Sequence, residues 1–289
     1  MIEASELILN SDGSVFHLHL KPENLADQVI LVGDQARVET ISGFFDKIDF
    51  TTQNREFKTV TGWYNNKRMS VLSTGIGTDN IDIVLNELDA LANIDFEKRE
   101  IKTDKRSLNI VRIGTSGGLQ SNLPVNSFVV SRKSIGFDGM LAFYANHESY
   151  CDGAFEKAFR QFTGWKSSLP SPYVVDASEV LLSKFNTLDF KTGVTISAPG
   201  FYGPQGRILR LGLAMPELNQ MIEQFSYNEL KITNFEMESS AIYGLSKMLG
   251  HNALTICLII ANRVTREANE NYRAEMKKLI KKVLDVLTK

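Results

Sequence analysis

At several points in the chain an arginine or a hydroxyl stands close to glycine, a combination that suits a bound anion. Gly33-Asp34-Gln35-Ala36-Arg37 follows the apolar run Val29–Val32. A turn at Gly33 frees the first backbone N–H groups of a helix and puts Arg37 about one turn in, a geometry suited to a phosphate-sized anion. Arg112-Ile113-Gly114-Thr115 repeats the idea, with a guanidinium at the end of an apolar strand and a hydroxyl donor, Thr115, just beyond it. A buried guanidinium requires a carboxylate or a bound anion as its partner. At an effective dielectric near 20, an arginine about 4 Å from a phosphate is worth on the order of 4 kcal/mol before desolvation. Arg37 and Arg112 therefore make a phosphate site if folding brings them together.

Phe201-Tyr202-Gly203-Pro204-Gln205-Gly206-Arg207 is a Gly/Pro loop that presents an aromatic face, an amide and a guanidinium. Gln205 supplies a donor and an acceptor and Arg207 donors only, which matches a planar ring edge bearing carbonyls and an N–H, such as uracil. Glu236-Met237-Glu238 reads as the start of a helix, where the dipole favours acids, and a carboxylate is also the natural acceptor for sugar hydroxyls. His17 and His19 read as alternating on one strand face, one hydrogen-bonding and one packed, with no third ligand to make a metal site. Gly75-Ile76-Gly77 lacks the third glycine of a dinucleotide loop, and no GxxxxGK occurs. The sharpest rival is Gly114-Thr115-Ser116-Gly117-Gly118, a G-x-S-x-G match with Asp176 and His251 following in the order of an α/β serine hydrolase. A nucleophile elbow runs directly into a helix, whereas residues 119–126 contain Pro124 and lead to another strand. A non-catalytic nucleoside or phosphate binder is the third reading.

These groups need a sheet to hold them. Strand-like runs alternate with helical periodicity throughout, which predicts one α/β unit over residues 1–289 with the sheet at its centre. Open α/β sheets bind ligands at the C-terminal ends of their strands, where the glycine-arginine pairs fall. Val29–Val32, Phe57–Tyr64, Arg68–Ser73, Leu108–Ile113, Phe128–Ser131, Gly193–Ile196 and Ala253–Ala261 read as strands, with Asn65-Asn66-Lys67 turning a hairpin. Helical spacing is carried by Val38, Ile41 and Phe45, by Ile81, Val84, Leu85 and Leu88, and from Glu236 to about Leu249, stopped by Gly250. The C-terminal segment sets Met276, Leu279, Ile280, Val283, Leu284 and Leu287 on one face, which predicts a helix docked on the core. Residues 93–107, strongly charged, read as a solvated excursion.

Composition narrows the function. The chain has 289 residues, 43% of them hydrophobic, and a formal charge of −2. Folding at this length buries roughly 75% of the unfolded surface, so disulfide or metal staples are unnecessary. A near-neutral chain has no summed positive field for a polyanion, which argues against nucleic acid. Cys151 and Cys257 lie far apart and outside any CxxC, which suits a reducing cytoplasm. The opening residues carry acids rather than a basic segment before an apolar one, unlike a signal peptide, and no apolar stretch approaches the roughly 20 residues of a membrane span.

Taken in order, the stretches Val15-Phe16-His17-Leu18, Gly33-Asp34 with Arg37-Val38, Arg55-Glu56-Phe57, Ser73-Thr74-Gly75-Ile76-Gly77, Arg112-Ile113-Gly114-Thr115, Phe201-Tyr202 with Gln205 and Arg207, and Glu236-Met237-Glu238 resemble the nucleoside phosphorylase family, nearest its uridine-cleaving members. The resemblance runs from residue 14 to about 265, while residues 140–175 match little. It implies a single-domain three-layer α/β/α sandwich around a mixed central β-sheet. It also implies a pentosyltransferase that converts uridine and inorganic phosphate to uracil and ribose 1-phosphate without metal or cofactor. By this resemblance Gly33, Arg37, Arg112 and Thr115 hold phosphate, joined by Arg55 of a neighbouring subunit. Phe201, Gln205 and Arg207 hold the base. Met237 and Glu238 hold the ribose with Glu236 beside them, and His17 of the neighbour reaches its 5′-hydroxyl. Arg112, Gln205 and Arg207 are the implied catalytic groups. Borrowed residues imply a homo-oligomer, with a dimer as the minimal active unit and a hexamer as the larger option. Purine-cleaving members place an Asp after the strand corresponding to Ala253–Ala261; here that strand ends Ala261-Asn262-Arg263, which disfavours purines.

Overall fold

A computed structural model describes residues 1–187 and 189–289. In chain order the elements are β1 (Gln28–Val32), α1 (Gln35–Ser42), β2 (Lys47–Asn54), β3 (Phe57–Tyr64), β4 (Lys67–Ser73), α2 (Thr78–Asn93), β5 (Ile94–Asp95), β6 (Glu100–Ile101) and β7 (Asn109–Gly118). They continue with β8 (Phe128–Gly136), α3 (Gly153–Thr163), β9 (Tyr173–Asp176), α4 (Glu179–Leu182), β10 (Lys191–Ser197) and α5 (Leu218–Gln224). The last are β11 (Ser226–Tyr227), β12 (Leu230–Glu236), α6 (Ser239–Leu249), β13 (Asn252–Asn262), β14 (Glu267–Ala268) and α7 (Arg273–Leu287). The large sheet runs β11-β12-β10-β8-β13-β7-β1-β4-β3-β2 and is mixed: β1, β4, β7 and β13 are parallel, and β13 meets β8 antiparallel. Helices cover it on both sides, giving the three-layer α/β/α arrangement expected.

The sheet also curls. β12 pairs with β10 on one edge and with the far end of β7 on the other, through Asn234↔Gly118 and Phe235↔Gly117. This closes β7, β13, β8, β10 and β12 into a ring. It carries Glu236 to the end of β7, although the two are distant in sequence.

Elements follow from local chemistry. β1 is buried along Val29–Val32, as a parallel strand covered on both faces must be. The β3–β4 hairpin turns on Asn65 and Asn66, at φ +48° and +61°, the left-handed pair that a two-residue turn requires. In α7 all six expected apolar positions are buried.

Four expectations need correction. Gly114–Gly118 is not a loop after a strand; it is the last half of β7, paired with β13 from Gly114↔Cys257 to Gly118↔Asn262. Glu236 does not begin a helix but ends β12, because its carboxylate accepts the N–H groups of Glu238 (3.0 Å) and Ser239 (3.0 and 3.1 Å) and so caps α6 from outside. His17 and His19 lie in a turn-rich segment rather than on a strand, with His19 at φ +51°. The charged segment 93–107 is more than a solvated excursion: Arg99 donates to the carbonyls of Ile2 (2.7 Å), Glu3 (2.8 Å) and Leu7 (2.5 Å), tying down the N-terminal segment.

Candidate active site

A cavity of about 340 Å³ opens where β1, β7 and β13 end. Its lining unites Gly33, Arg37, Arg112 and Thr115 with Phe201, Gln205 and Arg207 and with Glu236, Met237 and Glu238. The requirement that Arg37 and Arg112 share one cavity is therefore met. A separate hollow of about 480 Å³ beside Asp176, Lys247 and His251 lies at the opposite end of β13 and contains none of these residues.

At the floor, Arg112 is 5% exposed and its guanidinium lies between two carboxylates. Nη2 pairs with Glu238 and Nη1 lies 3.2 Å from Glu236. Burial works to neutralise the guanidinium, but the charges of Glu238 and Glu236 outweigh it and hold Arg112 firmly protonated. Burial pushes Glu238 above the usual carboxylate range despite Arg112, because Glu236 competes for the same cation. Glu236 is saturated: Ser197 and Ser239 donate hydroxyls to it at 2.5 and 2.6 Å besides the backbone N–H groups of α6. Glu238 also accepts the N–H of Gly77 at 2.8 Å, and Gly77 can present that group because its φ of +101° admits no ordinary side chain. Of the two carboxylates, Glu238 is thus the one with capacity left for a hydroxyl in the cavity.

At the rim, Asp34 caps α1 by accepting the N–H of Arg37 at 2.9 Å and also pairs with its guanidinium at 3.0 Å. Arg37 Nη1 reaches the Ile113 carbonyl at 3.4 Å, which leans the side chain over the middle of β7. Thr115 lies beside it on the lining. Arg55 is exposed at the β2–β3 turn, outside the lining. His17 is outside it too, with Nδ1 2.6 Å from Glu87.

The opposite wall is built around Gln205, only 4% exposed. Arg207 stacks its guanidinium 3.6 Å from the centre of the Phe201 ring and donates to Gln205 Oε1 at 2.8 Å. Arg263 donates to the Gln205 backbone carbonyl and, at 3.1 Å, to the same Oε1. Two cations on one amide oxygen orient the amide nitrogen as the free donor. Burial lowers Arg207, and burial together with the neighbouring Arg207 brings Arg263 down to about 10. Among the described residues neither has a carboxylate within ion-pair distance, so this wall carries uncompensated positive charge.

Arg263 is the functional candidate that sequence reasoning passed over. It was visible as a charged residue closing the apolar strand β13, but nothing in the sequence says that its partner would be Gln205. The hydrolase reading fails on geometry. Ser116 sits inside β7 rather than on a tight turn, and Asp176 is engaged by Lys133 at 2.5 Å. His251 precedes Asn252, which pairs with Asn109, seven residues or roughly 23 Å along β7 from Ser116. Among the described residues no group of three His, Cys, Asp or Glu side chains is placed to hold a metal ion.

Residues 27–289 match the model of the phosphorylase superfamily, and the chain belongs to that family. It is 28% identical to the uridine phosphorylase of Thermococcus kodakarensis over 262 residues, 89% of this chain and 80% of that protein. It is 25% identical to the DeoD-type purine nucleoside phosphorylase of Clostridium perfringens over 272 residues, 93% of this chain and 97% of that protein. Among solved structures, a Trypanosoma brucei nucleoside phosphorylase described as having uridine phosphorylase activity superposes with a TM-score of 0.85 at 30% identity, covering 97% of this chain and 99% of that one.

Proposed function

We propose that the protein is a uridine phosphorylase-like enzyme that catalyses the reversible phosphorolysis of pyrimidine nucleosides, uridine and phosphate giving uracil and ribose 1-phosphate. One observation carries this reading: a single cavity is lined by Arg37, Arg112 and Thr115, by Glu238, and by Gln205 and Arg207, with Arg263 bonded to Gln205. Those groups suit a phosphate, a sugar and a pyrimidine base. The relatives with uridine activity support the same choice, as does the strand end Ala261-Asn262-Arg263, which offers no Asp to a purine.

In the proposed reaction a phosphate oxygen attacks C1′ while the C1′–N1 bond breaks through a transition state with oxocarbenium character. The bonding pair departs on N1 and spreads to O2 and O4. Arg37, Arg112, Thr115 and the backbone at Gly33 hold the phosphate against the anomeric carbon, replacing a bimolecular encounter by an oriented one. Glu238 and Met237 seat the ribose, with Glu236 bracing Arg112. Phe201 packs on the base. Arg207 and the amide nitrogen of Gln205 bind the departing anion better than the neutral nucleoside, which lowers the barrier.

Incubation with uridine, with and without phosphate, tests the reading by uracil absorbance: release is expected only with phosphate. Binding without release would make the protein a sensor, and release without phosphate would make it a hydrolase. Arg207→Ala is expected to reduce turnover at saturating phosphate about a hundredfold, roughly 3 kcal/mol of barrier. A variant as fast as the parent removes the assigned role.

The same reading makes the working unit at least a dimer, with Arg55 and His17 serving the neighbour's cavity. Both lie outside the lining of their own cavity, and Arg55 stands on an exposed turn. A reducing, cytoplasmic setting fits Cys151 and Cys257, both unbridged.

A further inference from the structure

A groove of about 790 Å³ runs between α1 and the first turns of α7, with Asp34, Arg37 and Glu39 on one side and Arg273, Met276 and Lys277 on the other. Asp34 and Arg37 also line the candidate active-site cavity, so the groove reaches the arginine assigned to phosphate.

The charges in the groove do not cancel. Asp34 is committed to Arg37 at 3.0 Å and Glu39 to Lys58 at 2.5 Å. Further along α7, Lys278, Lys281 and Lys282 pair with Glu275, Asp285 and Asp189. Among the described residues neither Arg273 nor Lys277 has a carboxylate within ion-pair distance, and both are exposed. Helix formation does not explain the two cations. Arg273 is the first residue of α7, and Lys277 follows four residues on. A cation in the first turn opposes the helix dipole, and like charges four residues apart share one face and repel. The apolar stripe from Met276 to Leu287 docks the helix without them. A broken local rule that brings the fold no benefit points to a functional cause.

On the reading of the cavity as a phosphorylase site, we propose that this groove is the path by which inorganic phosphate arrives, with Arg273 and Lys277 drawing the dianion in and Arg37 receiving it. Two uncompensated charges act on a dianion over about a Debye length, ~10 Å at 0.1 M salt, and raise its concentration at the mouth. Neither cation touches the reacting atoms; both act on arrival alone.

The test compares the parent with two double variants, Arg273→Gln with Lys277→Gln and Arg273→Glu with Lys277→Glu, using uridine at varied phosphate. At low ionic strength the Gln pair is expected to raise the KM for phosphate about fivefold and the Glu pair roughly twentyfold. Added NaCl should close the gap to within twofold near 0.5 M, where the screening length falls to roughly 4 Å. The kcat and the KM for uridine should hold, and the melting midpoint should not fall, since the helix loses an unfavourable pair. Ribose 1-phosphate carries the same dianion, so its KM in the reverse direction should rise with that of phosphate while the KM for uracil stays. A KM for phosphate within twofold of the parent at low ionic strength overturns the proposal. So does a shift that salt does not remove, or a loss carried by kcat. If the parent releases no uracil at any phosphate concentration, the reading of the function fails instead. Calorimetric binding of phosphate then still judges the groove: equal affinity in the parent and the Gln pair at low ionic strength overturns it.

Discussion

Arg112 illustrates how one residue reports its surroundings. Within an apolar strand its charge demanded a partner, and the fold supplies two carboxylates for one guanidinium, Glu236 and Glu238. The surplus acid explains why burial raises Glu238 even beside a cation. A carboxyl whose value in the folded chain lies above its ordinary 4.5 keeps its proton longer when folded, so the stability it contributes is present at low pH and is lost as pH rises through the folded value. Glu238→Gln cannot lose it. Thermal melts from mildly acidic to neutral pH should find the variant gaining on the parent as pH rises, and a constant gap across that range would contradict the raised value. The identity of the acidic pair was legible in the sequence; which acid is saturated was not. That depends on Ser197 and Ser239, one from β10 and one from α6, both turned onto Glu236.

At the scale of elements, apolar periodicity was a good guide where burial alone decides conformation. α7 is the clearest case, because its stripe from Met276 to Leu287 is the face that packs. Leu279→Ala, at a wholly buried position, is expected to cost about 3 kcal/mol in urea unfolding with little change in the m-value. A loss below about 1 kcal/mol would mean that the helix is poorly seated. Local signals misled where pairing partners outweigh them. Gly114–Gly118 has the composition of a loop, yet β13 and β12 on its two edges hold it extended. Glu236 has the chemistry of a helix start, and it does cap α6, but from the last residue of a strand. The same pairing that corrected these elements removed the hydrolase reading, since a serine within a paired strand cannot be a nucleophile elbow.

At the scale of the whole molecule, the working unit under the proposed function is tested by mixing. If Arg55 serves a neighbouring cavity, chains carrying Arg55→Ala and chains carrying Arg207→Ala, each nearly inactive alone, should regain roughly a quarter of parental activity after subunit exchange, because half the dimers hold one intact site. No gain over the sum of the two variants would place each Arg55 at its own site. By itself the sequence determined the α/β class, the buried strands, the apolar face of α7 and the chemical kinds of group that a phosphate, a sugar and a pyrimidine would need, because these follow from side-chain type and short-range spacing. Only the tertiary structure decided that the groups converge. Arg37, Arg112, Gln205 and Glu238 meet because parallel strands end at one edge and β12 closes back on β7, and such long-range pairing leaves no trace in local spacing. The partnership of Arg263 with Gln205 belongs to that same layer, fixed by packing between segments distant along the chain.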